Sequence, residues 1–512
     1  MKKLLKILLS RTSLIALALI AQIGVLILMM VEFSNYFVWF YAFCGVISAV
    51  VVLWILNSDL NPAYKLAWNI PILLFPIFGG LFYLWFGRSR NNRKIRRGVK
   101  LANQNYRTYL KQDPAILEEI TEISLDAGAQ VRYLQRYSNC PVYHNSSAVY
   151  FPSGEAKFQA LVEELKKAEH FIFLEYFIIQ EGVMWNTVLE ILTQKARQGV
   201  DVRVLYDDMG CLFTLPFQYN KKLEKMGIKC CVFNSFVPFL STLMNNRDHR
   251  KIVVIDGHTA FTGGVNLADE YINLTPRFGR WKDSAMKLQG EAVWNFTVMF
   301  LSMWGDVRGV TEDFERFRAL PEQMETGEGA GGFILPYSDN PLDWEPVGEN
   351  TFLNLIHRAK KYVYINTPYL ILDNEMTTAL CIAAKSGVDV RIITPHIPDK
   401  KMVYAVTRSN YEVLVKNGVK IYEYTPGFNH AKTVVCDDDY GVVGTINFDY
   451  RSFYMHFECA AWLYRCPMIQ DMKEEFLSTL LQCQLIPLAE CRGLKWRERI
   501  GSFVLKIFAP LM

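Results

Sequence analysis

A spaced set of residues occurs twice in this 512-residue chain and constrains its fold more than any other feature. His249, Lys251, Asp256, Gly263 and Asn266 return as His430, Lys432, Asp437, Gly444 and Asn447, each displaced by 181 positions (430 − 249 and 447 − 266). A lone His-x-Lys-x4-Asp match arises by chance about once in four hundred histidines, so one copy carries little weight. Two copies, each with a small pair (Gly263-Gly264, Gly444-Thr445) and an asparagine at the same offset, imply an internal duplication. Each copy reads as an apolar strand closed by a turn-forming aspartate, KIVVID over 251–256 and KTVVCD over 432–437. That reading accounts for the backbone but leaves the paired His and Lys unexplained. Residues two apart in an extended strand project to one side, so His249 with Lys251, and His430 with Lys432, share a face. Such a face suits an anion, and imidazole, ammonium and carboxamide together suit phosphoryl chemistry. If the copies meet about a pseudo-twofold axis, the two imidazoles oppose each other across one phosphoryl group.

The duplication extends upstream. FIFLEYF at 171–177, a helical stretch and GVDVR at 199–203 are echoed by YVYINTPY at 362–369, another helical stretch and GVDVR at 387–391. The offset there is 188 (387 − 199), so loops of unequal length separate the echoes from the motifs. Strand, helix, strand, helix, strand and a motif hairpin, used twice, predict an α/β fold of two pseudo-symmetric halves, each a mixed sheet flanked by helices. The halves span residues 136–326 and 333–490, joined by the GEGAGG link at 327–332.

At 51% hydrophobic and 21% charged residues the chain is more apolar than a purely soluble protein, and its N-terminus holds the excess. Apolar runs at 14–31, 36–56 and 66–87 predict a membrane anchor over 1–87 with two or three spans. A cleavable signal peptide is the alternative for the first run, but no small-residue cleavage site follows it. Seven cations within 88–100 open a basic helical connector over 88–135 and put the following domain in the cytoplasm by the positive-inside rule. Residues 491–512 pattern as an amphipathic helix, lying on a bilayer or docked on the core. Eleven cysteines without CxxC or His-Cys metal spacing read as reduced structural thiols.

With two HxKxxxxD motifs, each followed by a small pair and Asn, the chain resembles the phospholipase D superfamily over nearly all of 136–490. The N-terminal spans, the basic collar, Glu175 in EYFI, Thr367 in TPYL, Arg280 in RWKD and Phe448 in FDYRS look like the bacterial cardiolipin synthases. That resemblance implies a multi-pass cell-membrane enzyme that condenses two phosphatidylglycerol molecules into cardiolipin and glycerol through a phosphohistidine, without metal or cofactor. It puts His249, Lys251, Asp256, His430, Lys432 and Asp437 in the catalytic motifs, with one of His249 and His430 as nucleophile and the other as proton carrier. Lys251, Lys432, Asn266 and Asn447 would hold phosphate oxygens. Strand spacing separates Asp256 and Asp437 from the phosphate and predicts a hairpin-ordering role for them. Orienting carboxylates are expected from Asp283 for the first half and from Glu458, 28 residues after His430 (458 − 430), for the second.

His258 and His456 lack a partner lysine and read as bystanders, Asp437-Asp438-Asp439 reads as a tight turn rather than a divalent-ion site, Asp207-Asp208 at a strand's end is open between a turn and the border of a site, and Ser284 lacks a nucleophile context. The apolar segment 236–244 is a core filler or a loop that receives acyl chains. Membrane lipids rather than nucleic acid are the expected partners, and homo-oligomerisation is left open. Hydrolysis, another alcohol acceptor, or a catalytically dead lipid-binding scaffold are the competing readings.

Overall fold

The computed structural model describes residues 37–84 apart from 59 and 77–78, and 106–511 apart from 107, 236–244, 320–328, 344 and 494–495, with isolated positions before 37. The 14–31 run, the basic collar and the apolar segment 236–244 lie wholly or largely outside the described residues. The first half contributes strands β1 (Ser146–Phe151), β2 (Phe171–Tyr176), β3 (Asp201–Asp207), β4 (Lys229–Phe233), β5 (Arg247–Asp248), β6 (Lys251–Ile255), β7 (Thr259–Gly263), β8 (Arg280–Lys282) and β9 (Ala285–Gly290). The second contributes β10 (Phe333–Asp339), β11 (Tyr362–Asn366), β12 (Leu370–Ile371), β13 (Asp389–Pro395), β14 (Lys420–Tyr424), β15 (Gly427–Asn429), β16 (Thr433–Cys436), β17 (Tyr440–Gly444), β18 (Phe448–Asp449), β19 (His456–Tyr464) and β20 (Cys483–Leu485).

The first sheet runs β1-β9-β7-β6-β2-β3-β4 and the second β10-β19-β17-β16-β11-β13-β14, extended by β20. Strand by strand the orders correspond, so the duplication read from the motifs governs the whole topology. Both sheets are mixed: β2-β3-β4 and β11-β13-β14 are parallel, while the motif strands β6 and β16 join antiparallel to β2 and β11. Equivalent helices end on residues free to adopt positive φ, Gly199 (93°) before β3 and Gly387 (95°) before β13, which accounts for the repeated GVDVR. The unequal loop lies between β4 and β5, residues 234–246, where the second half needs only 425–426 between β14 and β15.

One apolar core runs through both halves. The helix Val293–Arg308, almost wholly buried through Trp304, packs between the sheets with Phe300 stacked on Phe173 of β2. Helices Pro114–Ile123 and Leu125–Ser138 join the same core through Ile120, Ala127, Val131 and Leu134. Gln130 accepts from the Trp462 indole N–H and Tyr133 donates to Glu345, so this part of the expected connector is packed into the catalytic body. The link between halves is likewise held in part, since Ala330 bridges Ser147 of β1.

The N-terminal helices Phe37–Leu56 and Pro62–Leu74 pack on each other through Val51, Ile55, Trp68 and Ile72, and the second of them docks on the second half. Asn61 caps Pro62–Leu74, its Oδ1 accepting from Ala63 N–H (3.0 Å), and its amide donates to Asp373 (3.0 Å) and the Tyr454 hydroxyl (3.1 Å). The C-terminal helix Trp496–Phe508 packs beside helices Lys401–Ser409 and Pro62–Leu74 through Leu505, with Ala509 of the following 3-10 turn, while Trp496, Phe503, Val504 and Phe508 face outward. Docking and outward apolar exposure therefore hold together for this helix. Among the described residues no helix is long and apolar enough to cross a membrane. All eleven cysteines are unpaired, ten of them buried.

Candidate active site

The strands leading into the two motifs cross between halves. β5 pairs in parallel with β19 of the second half, Arg247 opposite His456 and Asp248 opposite Phe457. β15 pairs in parallel with β8 of the first half, ending with Asn429 opposite Lys282. His249 N–H donates to the Phe457 carbonyl (2.9 Å) and His430 N–H to the Lys282 carbonyl (2.7 Å). In this register the next residue of each partner strand is a carboxylate, Glu458 beside His249 and Asp283 beside His430.

Each imidazole thus meets the other half's acid. His249 Nδ1 lies 2.9 and 3.0 Å from the Glu458 carboxylate oxygens, and His430 Nδ1 lies 2.7 Å from Asp283 Oδ2. The expected assignment, with each carboxylate serving its own half, is reversed, and the physical reason is this interchange of strand pairing. Both carboxylates are fully buried and both histidines retain only a sliver of exposure, 7% and 6%. A carboxylate on Nδ1 holds the proton there and leaves the Nε2 lone pair for attack or proton transfer.

The small pair after each motif shapes the acid's seat. A Cβ on Gly264 would lie 2.0 Å from Asp283 Oδ1, so only glycine lets that carboxylate close on the backbone. The equivalent Thr445 donates its hydroxyl to Glu458 instead, and both Gly264 and Thr445 make a 2.9 Å backbone bond to the partner strand. Asp283 also accepts from the Trp281 indole (3.3 Å) and the Ser284 N–H (2.8 Å).

Lys251 and Lys432 lie buried beside the histidines, each donating to the carbonyl of its own motif histidine, for Lys251 at 2.5 Å. Burial pushes Lys251 down to about 8 and Lys432 to about 7. Burial also lowers both imidazoles, with Lys251 and Lys432 acting on both: His430 falls to about 4, and His249 is held well below its usual range. Although burial opposes it, Asp283 is held below the usual carboxylate range, chiefly by the His430 charge and hydrogen bond. The two half-sites are therefore close enough to sense each other's charges.

Asp256 and Asp437 point away from them. At φ 50° and 56°, their carboxylates accept from the N–H groups of Glu169, His170 and Phe171 (2.7, 2.8 and 2.7 Å) and of Lys360, Lys361 and Tyr362 (2.6, 2.8 and 2.9 Å). They anchor the starts of β2 and β11 to the motif hairpins. Asn266 accepts from Ile178 N–H (3.1 Å) and donates to the Tyr271 hydroxyl (2.7 Å), whereas Asn447 Oδ1 is buried with no partner among the described residues. Of the acidic clusters, Asp207 accepts from Met209, Gly210 and Asp248 N–H, while Asp438 and Asp439 pair with Lys473 and Arg465, as turns do.

Aromatic rings close the site. Phe177 packs edge-on to His249 (5.0 Å), and Trp281, Tyr271 and Phe428 surround His430 (5.2, 5.6 and 5.8 Å). His456, read from sequence as a bystander, lies 5.4 Å from the His249 ring. Its position two residues before Glu458 was the available signal, because alternate residues of β19 face the same way.

Comparison with known proteins gives the family. The family model described as cardiolipin synthase, PLD-like domain, matches residues 161–277 and 352–480, and the phospholipase D-nuclease N-terminal model matches 46–88. A cardiolipin synthase of Geobacillus kaustophilus is 36% identical over 475 residues, covering 92% of each chain. An uncharacterised protein of Streptococcus mutans is 47% identical over 461 residues, covering 90% of this chain and 99% of its own. Among solved structures, phosphatidylserine synthase of Haemophilus influenzae shares the fold at TM-score 0.56 and 15% identity, over 74% of this chain and 97% of that one. The chain belongs to the cardiolipin synthase family of phospholipase D-like phosphatidyltransferases.

Proposed function

We propose that the chain condenses two phosphatidylglycerol molecules into cardiolipin and glycerol by double displacement at this site. One motif imidazole attacks phosphorus through Nε2; the bond from phosphorus to the glycerol oxygen breaks, and the other imidazole protonates the leaving glycerol. That second imidazole, now a base, takes the proton from a hydroxyl of the next phosphatidylglycerol. Its oxygen then attacks phosphorus and the phosphorus–nitrogen bond breaks. Protons balance between the two imidazoles, so the cycle needs no cofactor. The observation that carries this reading is the pair of interchanged carboxylate–imidazole dyads. Lys251, Lys432 and the amides of Asn266 and Asn447 are assigned to the nonbridging oxygens of the five-coordinate phosphorus.

A bilayer location belongs to the same proposal, with residues 1–87 as a multi-pass anchor and the catalytic halves on the cytoplasmic side. Supporting it, the helix Phe37–Leu56 turns Trp39, Phe43, Val46, Val50 and Leu53 outward, as the C-terminal helix does Trp496 and Phe503. Purified protein incubated with phosphatidylglycerol vesicles and chelator should release cardiolipin and glycerol. His249→Ala and His430→Ala should each abolish this. Phosphatidic acid as the sole product would overturn the transfer reading.

A further inference from the structure

The dyads differ at one position. Trp281, two residues before Asp283, corresponds to His456, two residues before Glu458. Trp281 donates a hydrogen bond to its carboxylate. His456 is 8% exposed, and neither ring nitrogen has a hydrogen-bond partner among the described residues; its Nδ1 stands 3.7 Å from Glu458 Oε1. Donor atoms of His249, His456 and Glu458 all lie within 4.8 Å of one another. A tetrahedral ion holding ligands at 2.0–2.1 Å spaces them about 3.3 Å apart, so small side-chain rotations close the set.

Resting on the proposed transfer reaction, we propose that His249, His456 and Glu458 form an inhibitory site for a borderline divalent transition ion, Zn²⁺ being the probe. Two imidazoles and one carboxylate are a zinc donor set, which leaves a fourth position for water. Inhibition follows from the tautomer. A neutral imidazole has one N–H and one lone pair. In the dyad the Nδ1 proton points at Glu458 and the Nε2 lone pair is free for phosphorus or a proton. An ion on Nδ1 takes that lone pair and sends the proton to Nε2, so His249 can neither attack nor accept a proton. The His430 dyad, with an indole at the matching place, has no third ligand among the described residues. The device is one-sided within a nearly symmetric site.

The test uses the full-length protein. Zn²⁺ should arrest turnover of phosphatidylglycerol vesicles, chelator should restore it, and His456→Gln should raise the half-inhibiting concentration by about 100-fold through loss of one ligand in three. Independently of turnover, Co²⁺ should give the visible absorption of a tetrahedral site in the wild type, lost in His456→Gln and in His249→Ala and kept in His430→Ala. If His456→Gln does not fold, the contrast between the last two variants decides. Equal Zn²⁺ sensitivity of wild type and His456→Gln, or a Co²⁺ spectrum indifferent to His249, overturns the proposal. A wild type that binds Co²⁺ as described but never forms cardiolipin refutes the transfer reading instead.

Discussion

Replacing Asp256 by Ala separates the structural role of the motif aspartate from a chemical one. Its carboxylate accepts three backbone N–H groups at the start of β2. Hydrogen bonds to a charged group contribute about 1.5–3 kcal/mol each when buried. Glu169 and His170 are exposed, so water takes over much of their share, and the loss concentrates on the buried Phe171 N–H. About 3 kcal/mol is a reasonable sum for the three bonds. Alanine at φ 50° adds about 1 kcal/mol, because its Cβ opposes the left-handed region that Asp tolerates. Thermal unfolding should fall by about 10 °C in total, at roughly 2–4 °C per kcal/mol for a unit of this size. Asp256→Asn, keeping one acceptor oxygen and the backbone preference, should lose about half of that. The assay pairs thermal unfolding in detergent with cardiolipin formation per folded molecule below the transition. Turnover per folded molecule should stay within a few-fold of wild type. An unchanged melting point with turnover cut by ~100-fold would refute the reasoning, since that is the signature of a residue acting on the reaction.

Three further outcomes follow from the same geometry. Glu458→Gln should cut turnover by ~10²–10⁴-fold but add nothing to His249→Ala, whereas the interchanged dyads make Asp283→Asn redundant with His430→Ala; rates of the single and double variants, read by a calibrated trace assay, decide. Gly264→Thr, which copies the residue found at 445, should disable the site nearly as Asp283→Asn does while the protein stays folded, because its Cβ takes the place of Asp283 Oδ1; circular dichroism and turnover together check this. In the third, burial pushes His430 down to about 4, below the 6.5 of a free imidazole, with Lys432, Lys251 and Asp283 facing it. Between those values the unfolded chain binds more protons, so this group's contribution to stability is intact above pH 6.5 and is lost as pH falls toward 4; the loss is on the order of 3 kcal/mol and should diminish in His430→Gln, followed by melting across that range.

The repeat itself was fully legible, because identical offsets reflect identical strand order. The placement of Asp256 and Asp437 away from the histidines could also be read, since period-two geometry separates them. What sequence spacing could not reveal is partner exchange. Asp283 is 34 positions from His249 (283 − 249) and Glu458 is 28 from His430, which suggests service within each half. The β5–β19 and β15–β8 pairings that reverse this join segments far apart in the chain, and no local pattern encodes them. Glycine at 264 looked like one member of a small pair; its reason appears only once Asp283 lies against it. The burial of Pro114–Ser138 did leave a trace, as Ile120, Ala127, Val131 and Leu134 recur at helical spacing, but the nearby run of cations masked it.

The interchange of strands makes catalytic competence a property of the interface. A half isolated from its mate would keep its histidine and lysine yet lack the acid that holds the imidazole's proton on Nδ1. A chain cut within 320–328 should stay active as long as the pieces remain associated, and pieces that drift apart should fail together. The duplication thus resembles a dimer whose subunits were fused after each had come to depend on the other. Drift in one copy is then policed by the other, because a lost carboxylate in either half disarms the histidine opposite.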